Sequence, residues 1–426
     1  VTEKTDLYPT DAELSHLRAV ASGRARPDLI VRGGLVLSPG TEEWLERDVV
    51  IAGRHIATLT AWGHVADAAA EIDATGQHVV PTFIDAHLHI EYTNLTPGEL
   101  ARLSVARGTT TVLTDPNGAA NVWGPRGMDL LLSTRTPLRI FQQVSPTTPA
   151  SLELERGGAV IPEETVRARL RDDVTATLGE GNPFDYGEVS TGRFREALVA
   201  GRRITGHTAA QTEESLWGYL AAGVGDDHNS ATVEEVLERT RLGAMITVMG
   251  SSLTDNTVPL FADLDAIAPA LRHMCFCADD KHALDLSTSG HIDHHVRQAI
   301  RFGVDPPPRL PHGYRHPGAL LPPRPGARAP RALPSGRPPA HPRPRRGAAL
   351  ARDLRGRGRR PRRRRAVREP RSDPRLGEGH RAPARHAGAR RVRRACARGR
   401  GPGPGAGDGD VQRLLQTRLR RAAGRP

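Results

Sequence analysis

This 426-residue chain is poor in cysteine, aromatic residues and lysine. Its three cysteines are Cys275, Cys277 and Cys396. Cys275 and Cys277 are too close for an ordinary disulfide, so a bridge-stapled secreted fold is excluded and a reducing cytoplasm is expected. No apolar run approaches the roughly 20 residues that span a bilayer. The polar start Val1-Thr2-Glu3-Lys4-Thr5-Asp6 carries no apolar signal core. The length suits one large α/β barrel with a small accessory domain, or two to three ordinary domains.

The formal net charge of +12 is unevenly spread. Up to about Pro306 the chain is acidic. Beyond it the chain is strongly basic and lacks lysine, asparagine, isoleucine, phenylalanine, methionine and tryptophan. A stretch such as Arg359-Arg360-Pro361-Arg362-Arg363-Arg364-Arg365 cannot bury enough apolar surface to offset chain entropy. Residues 307–426 are therefore expected to form a disordered basic tail. Three readings compete for it: an arm binding polyanions without specificity, a solvated extension, or out-of-frame translation of a GC-rich gene. No aromatic residues are interleaved for base stacking, so no specific nucleic-acid partner is expected. The third reading is favoured, because the missing residue types are largely those with AT-rich codons. In addition, a permissible codon choice for His312-Gly313-Tyr314-Arg315-His316-Pro317, shifted by one base, reads Thr-Ala-Thr-Val-Thr-Pro.

Within the acidic part, the most informative run is Asp85-Ala86-His87-Leu88-His89-Ile90-Glu91. It follows His78-Val79-Val80-Pro81-Thr82-Phe83-Ile84, which reads as a buried strand. Two histidines one residue apart on a strand share a face, so both imidazoles can reach one metal ion.

The stretch 28–37 reads as a hairpin strand with a Gly-Gly turn or bulge, and 48–52 and 55–59 as two more short strands. Residues 1–77 are thus expected to hold an N-terminal helix and part of a small β-sandwich. From 78 to 306, apolar strands alternate with helical stretches. After the His-x-His strand come 110–115, 139–144, 175–180, 203–207, 223–228, 244–248 and 274–279. Eight β/α units close into an α/β, (β/α)8 TIM-like barrel with its site at the C-terminal strand ends.

That places His87, His89, Glu180, His207, His228 and Asp279 at one mouth. Singly each is weak: His207 or His228 suits an ordinary hydrogen-bonded histidine, and Asp279-Asp280 suits a helix N-cap. Together, histidines and carboxylates suit one or two divalent ions of iron, manganese or zinc.

The chain here resembles the adenine deaminase family of the metal-dependent amidohydrolase superfamily, from about residue 15 to Pro306. The carriers are Phe83-Ile84-Asp85-Ala86-His87-Leu88-His89-Ile90-Glu91, Thr110-Thr111-Val112, Asp115-Pro116, Asn121-Val122-Trp123-Gly124, Gly206-His207, Tyr219-Leu220-Ala221-Ala222-Gly223, Cys277-Ala278-Asp279-Asp280 and Gly290-His291-Ile292-Asp293. The resemblance implies a barrel with a β-sandwich built from both chain ends. It implies hydrolytic deamination, adenine plus water giving hypoxanthine plus ammonia, by water that a divalent ion acidifies. Asp279 is then the acid-base group. Many superfamily members bridge two metals with a carboxylated lysine, but Lys4 and Lys281 are the only lysines. Glu180 is left as the bridging carboxylate and a second catalytic candidate. Glu91, Asp115, Asn117, Asp280 and His291 are the candidate substrate contacts.

Four departures fall near substrate. The family's Asp-Pro-His-Glu is Asp115-Pro116-Asn117-Gly118, and its Pro-Gly-Leu-x-Gly-Lys is Thr208-Ala209-Ala210-Gln211-Thr212-Glu213. Its Arg-Glu-Gly-Ser is Val248-Met249-Gly250-Ser251, and its small serines and methionine after Glu91 are Tyr92-Thr93-Asn94. Two function classes stay open: a hydrolase of adenine or another cyclic amidine or amide, and an inactive product whose basic tail binds polyanions. A homo-oligomer also stays open.

Overall fold

The computed structural model describes residues 8–146, 148–149, 151, 153–181 and 188–304. The basic segment 307–426, expected as an out-of-frame tail, lies outside the described residues.

The helix Asp11–Ala21 opens the described chain, started by a reciprocal capping box between Thr10 and Glu13. Six strands follow: β1 (Leu29–Arg32), β2 (Leu35–Ser38), β3 (Glu43–Ala52), β4 (His55–Ala61), β5 (Ala70–Asp73) and β6 (His78–Val79). They form one sheet ordered β5-β1-β3-β2-β6, with β4 also paired to β3. The Gly33-Gly34 step is a break, not a hairpin turn, because β1 and β2 both run antiparallel to the long β3. Buried Asp48 shapes the break by accepting the backbone N–H groups of Gly33 and Gly63, each at 2.9 Å. Val20, Ile30, Val50, Ala52 and Ala68 pack the helix onto this sheet. The second layer of the expected sandwich is not found among the described residues.

The strand expected to run through 78–84 is divided. His78–Val79 pairs in parallel with β2 in the small sheet, while Val80 to Thr82 are exposed and the barrel strand begins at Phe83. Pro81 has no N–H to give to a ladder, which suits a crossing between sheets.

The barrel strands are β7 (Phe83–Leu88), β8 (Thr109–Thr114), β9 (Arg139–Val144), β10 (Thr175–Gly181), β11 (Arg203–Gly206), β12 (Asp226–Asp227), β13 (Met245–Met249) and β14 (Met274–Cys277). Five pair in the order β11-β10-β9-β8-β7 and three in the order β12-β13-β14. Every pairing within these two sheets is parallel. Parallel bridges Leu88–Asp279 and Ile204–Val224 join the two seams, closing an eight-stranded (β/α)8 barrel. Ala86, Leu113, Phe141, Ala176, Met249, Cys275 and Cys277 come from strands alone and fill its interior. Val236, Ile246, Val248, Phe276, Ile292 and Val296 pack helices against the outside of β13 and β14. The helix Val233–Arg241 has acidic residues in its first turn, basic ones in its last, and a Thr232–Glu235 capping box. Such charge placement matches the helix dipole.

No helix among the described residues is long and apolar enough to cross a membrane.

Candidate metal centre

His87 lies on β7 and His89 just beyond it, both about as buried as core residues. Their Nδ1 atoms are already committed. His87 Nδ1 is 2.7 Å from Gln143 Oε1, and Gln143 Nε2 donates to the Ala86 carbonyl at 3.3 Å. His89 Nδ1 is 2.7 Å from the Asp115 carbonyl. With acceptors there, each Nδ1 carries a proton, and Nε2 is the nitrogen each ring turns to the cavity and would give to an ion.

Asp279 meets them from the other side of the barrel seam. Its backbone has φ +50°, a left-handed conformation costing a non-glycine residue roughly 1–2 kcal/mol. Hydrogen bonds hold it there: Asp279 N–H donates to the His87 carbonyl at 3.0 Å, and His89 N–H to the Asp279 carbonyl at 3.4 Å. Asp279 Oδ1 then lies 3.4 Å from His87 Nε2 and 3.3 Å from His89 Nε2.

Glu180, on β10, completes the floor. Gly179 before it has no room for a side chain, since a Cβ there would lie 2.2 Å from Asp115 Oδ2. That oxygen accepts the Glu180 N–H at 3.0 Å and sets the carboxylate. Glu180 oxygens lie 3.7 Å from His87 Nε2, 3.6 Å from His89 Nε2, 3.1 Å from His207 Nδ1 and 3.2 Å from His228 Nε2. Asn117 Nδ2 donates to Glu180 Oε1 at 3.1 Å.

Two ligand triples emerge, His87 with His89 and Asp279, and His87 with Glu180 and His228. Ligand bonds of about 2.0–2.2 Å place donors about 3–3.5 Å apart around one ion. The N···O separations here sit at and just above that range. His87 Nε2 is buried with no hydrogen-bond partner among the described residues. The nitrogen and oxygen donor set suits a divalent first-row ion. The residues present therefore fit the divalent metal that the resemblance implies. His207 belongs to neither triple; it touches Glu180 and sets its ring edge-on to His228 at 5.2 Å.

Without an ion the groups charge one another. Burial opposes the charged form of His87, but the Asp279 and Glu180 carboxylates outweigh it and lift its pKa to about 9. His89 is raised well above its ordinary value against the same burial penalty. Burial would raise Glu180 and Asp279, yet His207 and His228 hold the first, and His87 and His89 the second, below the usual carboxylate range. Protons thus sit where a cation would replace them.

The candidate substrate contacts divide. His291 is buried with both ring nitrogens bonded, Nδ1 to Ser104 Oγ at 3.0 Å and Nε2 to Asp85 Oδ2 at 2.7 Å. It braces β7 and has no polar atom left for substrate, which corrects its place among the contacts. Asp115 is fully buried beneath Glu180, and burial, against the pull of His89, lifts it to about 7. It acts first as a support. Glu91 Oε1 accepts the Ala119 N–H at 3.1 Å in the first turn of the helix Asn117–Trp123, while Oε2 has no partner among the described residues. Asp280 keeps one buried oxygen unpartnered among those residues.

Sequence reading missed three groups. Gln143, which fixes the His87 tautomer, signals itself as a buried amide inside an apolar strand. Asp227 and Arg239 anchor the loop after β11: Asp227 Oδ1 accepts the Thr208 N–H at 2.9 Å, and Arg239 Nε donates to Thr208 Oγ1 at 2.8 Å. Nothing local marks that pairing, since Thr208 and Arg239 are 31 residues apart.

The adenine deaminase of Listeria monocytogenes is 34% identical over 305 residues, 69% of this chain and 51% of that one. The adenine deaminase of Bacillus subtilis is 32% identical over 304 residues, 70% of this chain and 51% of that one. The chain thus spans about half the length of the curated relatives it matches. A solved amidohydrolase from an environmental sample of the Sargasso Sea is 14% identical, with a TM-score of 0.48 over 69% of this chain and 79% of that one. The amidohydrolase family matches residues 78–301. That match extends from before β7 to beyond β14 and takes in the whole barrel: the chain belongs to the amidohydrolase family.

Proposed function

We propose that this chain is a metal-dependent hydrolytic deaminase of adenine or a related purine-like heterocycle, a hydrolase of non-peptide C–N bonds. The observation that carries the reading is the pair of ligand triples that share His87, one with His89 and Asp279 and one with Glu180 and His228. The curated adenine deaminases aligned over this part of the chain support the substrate class.

One or two divalent ions, manganese or iron before zinc, would be held by these residues with His207 beside them, and would supply Lewis acidity that makes water a nucleophile near neutral pH. The chain's own groups do the rest. The Asp279 carboxylate takes the proton of the attacking water and returns it to the leaving amine, so ammonia departs and a carbonyl remains. Glu180, set by Asp115 and steadied by Asn117, is the second catalytic carboxylate and would help to hold the metal. Glu91, Asn117 and Asp280 are the polar groups left to orient the ring. A second reading, another cyclic amidine or amide, is favoured by the loop 208–213, whose residues depart from the family and are tied to Asp227 and Arg239.

A cytoplasmic protein acting on a small molecule belongs to this reading, as does the division into 1–77, 78–306 and 307–426. The nucleotide sequence at the codons for Asp305 and Pro306 tests the out-of-frame reading of the last segment. The functional test is ammonia release from adenine by the manganese- or iron-loaded chain. Release from another aminated heterocycle but not adenine selects the second reading, and release from none overturns both.

A further inference from the structure

Two of the departures from the family pattern meet in space. Where the resemblance expects a small residue at 92 and a glutamate at 118, this chain has Tyr92 and Gly118. A Cβ placed on Gly118 would lie 2.7 Å from both Oη and Cε1 of Tyr92 and 2.9 Å from Cζ. A side chain at 118 and this ring cannot share that space. Large and small have changed places across one contact.

The ring is also at the centre just described. It lies 5.2 Å from the His89 ring, tilted by 50°, and the Tyr92 N–H donates to the His89 carbonyl at 3.1 Å. Gly118 follows Asn117, which holds Glu180. The tyrosine keeps 40% of its surface exposed, so one part of the ring packs on Gly118 while another stays open to a ligand.

We propose that Tyr92 is a specificity-determining residue, a flat wall beside His89 against which a planar nitrogen heterocycle stacks, with Gly118 leaving the room the ring needs. Aromatic walls suit such ligands because offset stacking tolerates several ring substitution patterns. This rests on the proposed deaminase reading and names the part of the site that selects its substrate.

Gly118→Ala isolates the idea. The Gly118 backbone is not left-handed, so alanine adds no strain there, and alanine is the better helix former at this helical position. Any loss therefore reports displacement of the ring. Three variants are compared in the full metal-loaded chain: Gly118→Ala, Tyr92→Ser and the double. Melting temperature, hypoxanthine binding by calorimetry, and kcat and KM for a panel of aminopurines including adenine are measured. Gly118→Ala should lower the melting temperature and raise KM and the hypoxanthine Kd by about tenfold, with kcat little changed. In the Tyr92→Ser background the same change should raise the melting temperature and leave Kd and KM where they were. Additive effects of the two changes, in a wild type that deaminates adenine, overturn this inference alone. A wild type that neither binds hypoxanthine nor releases ammonia from any of the panel overturns the proposed function and this inference with it.

Discussion

His87 and Asp279 meet twice across the seam that closes the barrel, through a main-chain hydrogen bond of 3.0 Å and through side chains 3.4 Å apart. The first contact explains the second. Holding the Asp279 backbone in its left-handed turn aims the carboxylate back at the histidine pair instead of along β14. The contact that closes the barrel therefore also places a carboxylate of the candidate metal centre.

His87→Ala with His89→Ala should abolish metal binding. Both Nε2 atoms of one triple are then gone, and only one carboxylate of that triple remains. Elemental analysis of the purified double variant should show lost metal; unchanged stoichiometry would place the ion elsewhere.

Asp279→Asn should retain much of the metal and lower turnover by about 100- to 10,000-fold, the usual contribution of a general acid-base group. The amide keeps an oxygen for coordination and cannot accept the proton. Ammonia release and metal content, measured on one preparation, separate the two roles. A near-normal rate would assign proton transfer to another residue.

Gln143→Leu should weaken metal binding by about 10- to 100-fold without removing any ligand. The amide accepts the His87 Nδ1–H at 2.7 Å and so presents Nε2. Competition with a chelator of known affinity measures the change, and circular dichroism checks that the barrel is intact.

His295 predicts acid lability. It is fully buried on the outer face of β14, its ring stacked on Phe276 at 5.8 Å. Burial, with Lys281, His294, His291 and Arg297 adding like charge, holds its pKa well below 6.5. The unfolded chain binds a proton near pH 6.5 that the folded chain refuses, so stability is full above that pH and falls as pH drops below it. Urea melts at pH 7.5 and 5.5 should show this loss, and His295→Asn should show a smaller one. An equal loss in both proteins would trace the lability to other groups.

Much of this architecture is legible in the chain. Most of the barrel strands follow from short apolar or β-branched runs spaced by helical segments, because a parallel strand covered on both faces is largely apolar, whereas β12, Asp226–Asp227, carries no such run. The His-x-His pair and the polar residues at strand ends locate the metal centre, since period-two alternation fixes their face. Other features depend on residues far apart in sequence. No local signal shows that His78–Val79 leaves the barrel to pair with β2, or that His291 reaches back 206 residues to Asp85. The Gly33-Gly34 step suits a turn or a bulge by sequence, and only the pairing of β3 with both flanking strands makes it a break. Gly118 is a plain glycine in the sequence, and only the fold brings Tyr92 against it. Composition and periodicity are local properties and determine which elements form and which residue types carry the chemistry. Hydrogen-bond partners, tautomers and shared volume depend on long-range contacts, and those the tertiary structure alone decides.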